Sequence, residues 1–351
     1  MKIWFDILTP KQVNFFKPVI DELKNRKHDV LCTSRKYKEV EELAKIRGLE
    51  LRIVGEYGGE SLNGKLKASA ERVLQLTDVI TEFNPDILVS LSSPEASRIA
   101  FGLAIPHLGF NDSPHAEAVC RLSVPFMSKL MCPWIIPVQD FTHYGISKND
   151  IQRYKALDPA MWLKGFKQIY KHEDFGLDPA KKTITFRLEE SKAAYYSNEY
   201  SISIKLLKSL IKNFGGCNLF LLGRYPDQIE SLKRDYGDKA VVIESVVDGT
   251  SLLMLSDVFV GSGGTMNCEA ALLGVPNISY AMNKIYVTQY LIRKGLSKEC
   301  RNESQMLKLV RYMLSNNKFR KKLMTKTSLM LSLMEDLKKR TVNVLESYSL
   351  K

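Results

Sequence analysis

Short apolar runs rich in β-branched residues alternate with stretches whose apolar residues recur every three to four positions, and this alternation runs twice along the chain. A strand-length run followed by a helical period, repeated, points to parallel strands joined by helical crossovers, with helices on both faces of each sheet. The first series predicts strands at residues 2–7, 29–33, 51–54, 87–91, 107–110 and 135–137. The second predicts them at 182–186, 218–222, 240–243, 258–260 and 277–279, with helices over 199–214, 227–236, 251–255, 266–273 and 287–293. A polar stretch, THYGISKNDIQRYKALDPAMWLKGFKQIYKHEDFGLDP, separates the two. At 351 residues the chain is long enough for two cores. The expectation is an α/β protein of two doubly wound parallel-sheet domains, residues 1–145 and 146–351, with a helical tail from about residue 304.

Composition removes several classes. With 45% hydrophobic and 26% charged residues the chain is neither disordered nor fibrous. The six cysteines are scattered, with no C-x-x-C pair and no histidine at metal-ligand spacing, so neither a zinc site nor a disulfide framework is expected, and a reducing, cytoplasmic setting fits. Asp6 interrupts the apolar start, which therefore reads as a strand and not as a signal peptide. Nowhere do about 18 apolar residues run together, so no membrane span is expected. A net charge of +12 admits an anionic partner, but no nucleic-acid-binding motif accompanies it. The stretch VPFMSKLMCPW at 124–134 has two readings, a core helix leading into a strand or a patch for peripheral membrane contact and a lipid-linked acceptor.

In open α/β sheets, ligands bind beyond the carboxyl ends of strands, where the winding reverses. With two sheets, the expected site is a cleft between them. The strongest motif is VGSGGTMNCEAALLGVP at 260–276: a strand, three glycines that let a ligand approach the backbone, then a helix. Free N–H groups and the positive dipole end at that helix start favour a phosphate. Glu269, one turn in, stands at ribose distance. The alternative is a tight turn that needs glycine for packing.

Two strand ends in the first half share a design. Ser93-Pro94-Glu95 and Ser113-Pro114 supply a cap, a first-turn proline and, nearby, an acid. Capping does not account for Asp112, His115, Glu117 and Arg121 gathered at one junction, a candidate source of a general acid or base. Arg187 and Arg224 follow strands of the second half, and Arg187 leads a run with Glu190, Lys192, Tyr195 and Tyr196. Gln12 and Asn14, after the first strand, are candidates for an acceptor loop, and Tyr57-Gly58-Gly59-Glu60 is a Gly-rich turn.

The 260–276 string resembles the donor-nucleotide segment of GT-B fold enzymes, which include glycosyltransferases and the UDP-N-acetylglucosamine 2-epimerases. That resemblance implies that Gly263, Gly264 and Thr265 meet a diphosphate and Glu269 a ribose. His115-Ala116-Glu117-Ala118 and Arg121 are similar to the H-x-E-A-G-L-R segment of the epimerases, where a glutamate belongs to the active site. As a whole the chain looks like a prokaryotic GT-B family, the domain-of-unknown-function family numbered 354. The strings are D-I-x-x-P…F-F-K-P at 6–18, S-P-E-A-S-R-I-A-F-G-L at 93–103, F-N-D-S-P-H-A-E-A at 110–118 and G-S-G-G-T-M…E-A-A-L-L-G at 261–274.

Departures from these patterns matter. Gln12, Asn14 and Leu91 stand where family members tend to carry histidines, and Arg187 replaces the histidine of the epimerases' His-Arg-x-Glu-Asn string. Arginine holds a diphosphate but carries protons poorly. The expectation is a metal-independent transferase that moves a hexose or N-acetylhexosamine from a UDP-sugar or other nucleotide sugar to a saccharide or lipid-linked acceptor. Asp112, His115 or Glu117 would act as base; Arg187 and Arg224 would steady the diphosphate; Gln12, Asn14, Ser93, Glu95 and Arg121 would line the acceptor or substrate loop. An epimerase or hydrolase and a non-catalytic binding protein are the rivals.

Overall fold

The computed structural model describes residues 1–59, 61–189, 200–223, 225–280 and 285–348. The chain divides into two compact units, one of Met1–Trp162 and Met334–Lys351, the other of Leu163–Leu333. Among the described residues no helix is long and apolar enough to cross a membrane.

Seven strands form the sheet of the first unit: β1 (Lys2–Asp6), β2 (Asp29–Lys36), β3 (Arg52–Glu56), β4 (Ile87–Ser90), β5 (His107–Phe110), β6 (Lys129–Pro133) and β7 (Ile151–Tyr154). They lie in the order β3-β2-β1-β4-β5-β6-β7, and every pairing is parallel. Strand β1 shows why a parallel sheet needs cover on both faces. Trp4 points into a cluster with Leu76, Ile80, Leu88 and Ile99. Its neighbour Phe5 faces the other way, edge-on to Phe16 at 5.4 Å, and Phe15 in turn meets Phe110 at 5.2 Å.

The second unit holds β8 (Thr183–Arg187), β9 (Asn218–Leu222), β10 (Val241–Ile243), β11 (Val258–Gly261), β12 (Asn277–Ser279) and β13 (Lys298–Glu299). Their order is β10-β9-β8-β11-β12-β13, again all parallel. One face packs Phe186, Leu207, Val258, Val260 and Ile278, the other Phe220, Phe259, Leu252 and Ala270. In both sheets the winding reverses beside the first strand, between β1 and β4 and between β8 and β11. The loops after those four strands are therefore the ligand-binding positions of the topology.

Several expectations are corrected. No strand covers 135–137; the strand is Lys129–Pro133, with Leu130, Met131 and Cys132 buried. The stretch 124–134 does lead into a strand, but through a 3-10 turn, Val124–Phe126, in place of the expected core helix. A short apolar run carries no period to separate strand from helix. The polar connector contains an edge strand, β7, whose exposed side accepts Gln152 and Arg153. The first unit accordingly runs on to Trp162, past residue 145.

The helical tail also divides. Glu303–Ser315 and Asn317–Leu333 belong to the second unit, whereas Leu337–Glu346 belongs to the first. It buries Leu337, Thr341, Val342 and Leu345 and packs against the helix Pro10–Asn25. Ion pairs Arg26–Glu346 and Lys338–Glu22 flank that contact.

Candidate functional site

At the first unit's reversal point, Asp6 ends β1 wholly out of water. A charge there requires full compensation, and three groups provide it. Arg72 of the helix Leu62–Phe83 binds both oxygens, at 2.6 and 3.1 Å. Thr33 and Ser93 each donate a hydroxyl at 2.6 Å. The Trp4 indole in turn donates to the Thr33 hydroxyl at 2.7 Å. Ser93 caps the helix Pro94–Gly102, as its sequence pattern predicts, by accepting from Ala96. Glu95 lies in that helix's first turn, buried, 3.7 Å from Arg72.

Beside this network is His107, completely buried, with its Nε2 at 2.9 Å from the Ser90 hydroxyl and its Nδ1 without a hydrogen bond. Burial pushes its pKa down to about 3, against the attraction of Asp6.

A second ionic group forms from the loops after β1, β5 and β7. Lys11 lies between two carboxylates, 2.5 Å from Asp112 and 2.7 Å from Asp158. Tyr154 donates to the other Asp158 oxygen at 2.6 Å. Burial disfavours every charge here. The paired carboxylates nevertheless hold the Lys11 pKa above its ordinary value, and Lys11 holds Asp112 below the usual carboxylate range. Burial and the facing Asp112 raise Asp158.

The other residues of this region separate. His115 is exposed, yet enough protein surrounds the ring to lower its pKa, with Asp112 opposing the shift. Glu117 and Arg121 form an exposed i,i+4 pair at 2.8 Å. Ser113 does not cap a helix: the helix is Glu117–Arg121, preceded by Ala116, and the Ser113 hydroxyl donates to Asp112. Gln12 is buried and joins two loops, accepting from Leu8 N–H and donating to the Leu91 carbonyl. Asn14 accepts from Arg47 at 2.9 Å. Gln12 thus ties the loop after β1 to the loop after β4, and Asn14 ties the helix Pro10–Asn25 to the end of the helix Lys38–Ile46.

In the second unit, β11 runs into the glycine turn and the helix Thr265–Leu272. Gly263 has φ 93° and Gly264 has φ 78° with ψ −156°, backbone states that residues with a side chain rarely adopt. A Cβ on Gly264 would meet nothing within 4 Å, so the turn faces open space there. The Asn267 side chain pins it, accepting from Gly263 N–H at 2.8 Å and donating to the Ile278 carbonyl at 3.1 Å. Glu269 is buried, and Thr250 donates to it at 3.1 Å.

Across the reversal point from this turn, Arg187 ends β8 half-buried. Tyr280 lies 2.9 Å from both the Arg187 carbonyl and the buried Glu189 carboxylate, whose other oxygen accepts from Ser203. Arg224, Glu60, Glu190, Lys192, Tyr195 and Tyr196 lie outside the described residues. Among the described residues no group of three or more His, Cys, Asp or Glu side chains is arranged to hold a metal ion.

A family described as "Protein of unknown function (DUF354)" matches residues 1–340. The chain belongs to DUF354. An uncharacterised protein of Methanocaldococcus jannaschii is 29% identical to it over 300 residues, 84% of this chain and 86% of its own. Among solved structures, the UDP-GlcNAc 2-epimerase from Neisseria meningitidis bound to UDP-GlcNAc has a TM-score of 0.74 at 14% identity, covering 99% of the DUF354 chain and 100% of its own. The UDP-GlcNAc 2-epimerase of M. jannaschii in complex with UDP-GlcNAc and UDP scores 0.73 at 16% identity, over 91% and 94%. The spinosyn rhamnosyltransferase complexed with spinosyn aglycone scores 0.65 at 14%, over 99% and 100%. These likenesses establish the fold as GT-B.

Reading the sequence alone passed over Lys11, Asp158, Asp6, Arg72, Glu189 and Tyr280 as site groups. For Asp6 a signal exists, a carboxylate inside the apolar first strand. For Lys11 and Asp158 none does, because 147 residues separate them and only the fold joins them.

Proposed function

We propose that this DUF354 protein binds a nucleotide sugar through its second unit and transfers the hexose or N-acetylhexosamine to an acceptor hydroxyl. The observation that carries this reading is the glycine turn, open at Gly264, set at a helix start and at a sheet reversal point. The free N–H groups of the first helical turn would take the diphosphate, as such a terminus favours phosphate. Glu269 would accept from the ribose hydroxyls; Arg187 and Arg224 would neutralise the departing diphosphate. UDP is the nucleotide that the resemblance favours.

The candidates for the base are Asp112, His115 and Glu117. Glu117 is committed to Arg121 in solvent, and Asp112 is stabilised as a carboxylate by Lys11, which makes it a weak base. Burial lowers the His115 pKa, which favours the neutral imidazole, the form that can accept a proton. In this reading His115 is the base and Asp112 steadies the imidazolium that forms. Catalysis then falls as pH drops through a value below 6.5, the ordinary histidine pKa, and His115→Gln lowers kcat by about 10²- to 10⁴-fold. The test is transfer from a labelled UDP-sugar to a panel of saccharide and lipid-linked acceptors, followed from pH 5 to 8 with wild type and His115→Gln. An unchanged rate in the variant rules out this base.

A second reading, elimination or epimerisation at the sugar without an acceptor, draws on the higher structural likeness to the 2-epimerases than to the rhamnosyltransferase. Product analysis without acceptor separates the two. A transferase leaves the sugar's stereochemistry untouched and hydrolyses the donor only slowly.

A further inference from the structure

The helix Leu62–Phe83 carries two faces that do not resemble each other. Its inner face buries Arg72, Leu76, Val79 and Ile80. On the outside, Leu62, Leu66 and Leu74 are 76%, 72% and 73% exposed, among the most exposed large apolar side chains of the described chain. With Ala70, they recur every four residues and so form one continuous stripe. Scattered exposed leucines need no explanation, but an aligned row on a 22-residue helix does.

Charges flank the stripe in a definite order. Lys67 and Glu71 are both exposed, on the same side of the row, and neither makes an ion pair among the described residues. The cation lies toward the helix N-terminus and the acid one turn later, while Asp78, four residues after Leu74, ends the apolar row itself. In a two-fold antiparallel pair, each flank meets the same flank of the other copy with its direction reversed. Lys67 of one copy then faces Glu71 of the other, twice over, while Leu66 seats between Ala70 and Leu74 of the other copy. A parallel two-fold pair would instead bring that flank against the opposite one, Lys65, Ser69 and Val73, which offers Lys67 no acid.

We propose that the stripe of Leu62, Leu66, Ala70 and Leu74 is a self-association face, on which a second copy of this chain docks antiparallel with reciprocal Lys67–Glu71 ion pairs. A 22-residue helix is about 33 Å long, and a stripe about 10 Å wide then covers about 300 Å² per copy. That is below the ~800 Å² per partner of a standard stable interface, so the dimer is weak, with a Kd in the micromolar range.

Sedimentation velocity of the full chain across about 1–200 μM tests this. The wild type is expected to shift from monomer to dimer, and Leu66→Asp to remain monomeric throughout, since burying the leucine is what holds the face together. Lys67→Glu and Glu71→Lys each place like charges opposite one another and raise Kd about tenfold, whereas the double swap restores it. All these positions are exposed, and far-UV circular dichroism verifies that each variant is folded. A wild type monomeric across the whole range overturns the proposal. So does a dimer indifferent to Leu66→Asp, or a double swap no better than the single changes. Binding of the wild-type monomer to anionic lipid vesicles, lost in Leu66→Asp, also overturns it by giving the stripe a membrane as its occupant.

Discussion

Asp6 is held by Arg72, Thr33 and Ser93, and each contact exists because a fully buried carboxylate cannot otherwise be tolerated. Removing one member of a buried ion pair strands the other. Arg72→Met is therefore expected to cost about 3–5 kcal/mol in urea unfolding, and Asp6→Leu combined with Arg72→Met far less than the sum of the single changes. His107 makes the complementary prediction. Its folded pKa, about 3, lies below the ordinary value near 6.5 because burial excludes the charged ring. Only the unfolded chain takes up a proton between those values, so stability is unaffected above pH 6.5 and falls as pH drops toward 3. The slope contributed by this one group is at most about 1.4 kcal/mol per pH unit. Unfolding free energies of wild type and His107→Gln, compared at pH 7 and pH 5, are expected to diverge less at the lower pH by the amount this proton contributes.

At the scale of elements, the glycine turn after β11 separates two costs. Gly264 sits in a backbone state reserved for glycine but faces open space, so Gly264→Ala is expected to cost about 1–3 kcal/mol through conformation alone. Gly274 has φ 73°, and a Cβ there would come within 2.8 Å of the Met324 backbone, which adds a packing conflict. Thermal unfolding is expected to rank Gly274→Ala as the more damaging. Nucleotide titration is expected to be impaired only by Gly264→Ala.

The same elements show what the sequence makes legible. β5 and β9 fall at the residues read from the sequence because each is a mainly apolar run buried on both faces, and β12, with Ile278 its one apolar residue, because Gly274-Val275-Pro276 marks its start. β6 and β7 do not. β6 is a short run with no period of its own, and β7 is an edge strand whose Gln152 and Arg153 look like loop. The glycine turn is legible as a string since its glycines are demanded locally by φ. The Lys11–Asp112–Asp158 group is illegible because its members come from three separate crossovers and meet only through the strand order.

For the molecule as a whole, the chain leaves the first unit at Trp162 and returns to it at Met334. The returning helix Leu337–Glu346 covers the helix Pro10–Asn25 with four buried side chains. Truncation after residue 333 is expected to lower the melting temperature of the first unit and leave the second unchanged, a difference that calorimetry resolves if each unit is assigned by its own destabilised variant, Arg72→Met or Gly274→Ala. The central claim concerns the second unit and its glycine turn. Isothermal titration with UDP, on wild type, Glu269→Gln and Gly264→Val, tests it most directly. The account predicts one site per chain in the wild type, about tenfold weaker binding in Glu269→Gln through loss of a charge-assisted hydrogen bond, and none measurable in Gly264→Val. UDP binding that is absent from the wild type, or unchanged in both variants, would contradict it.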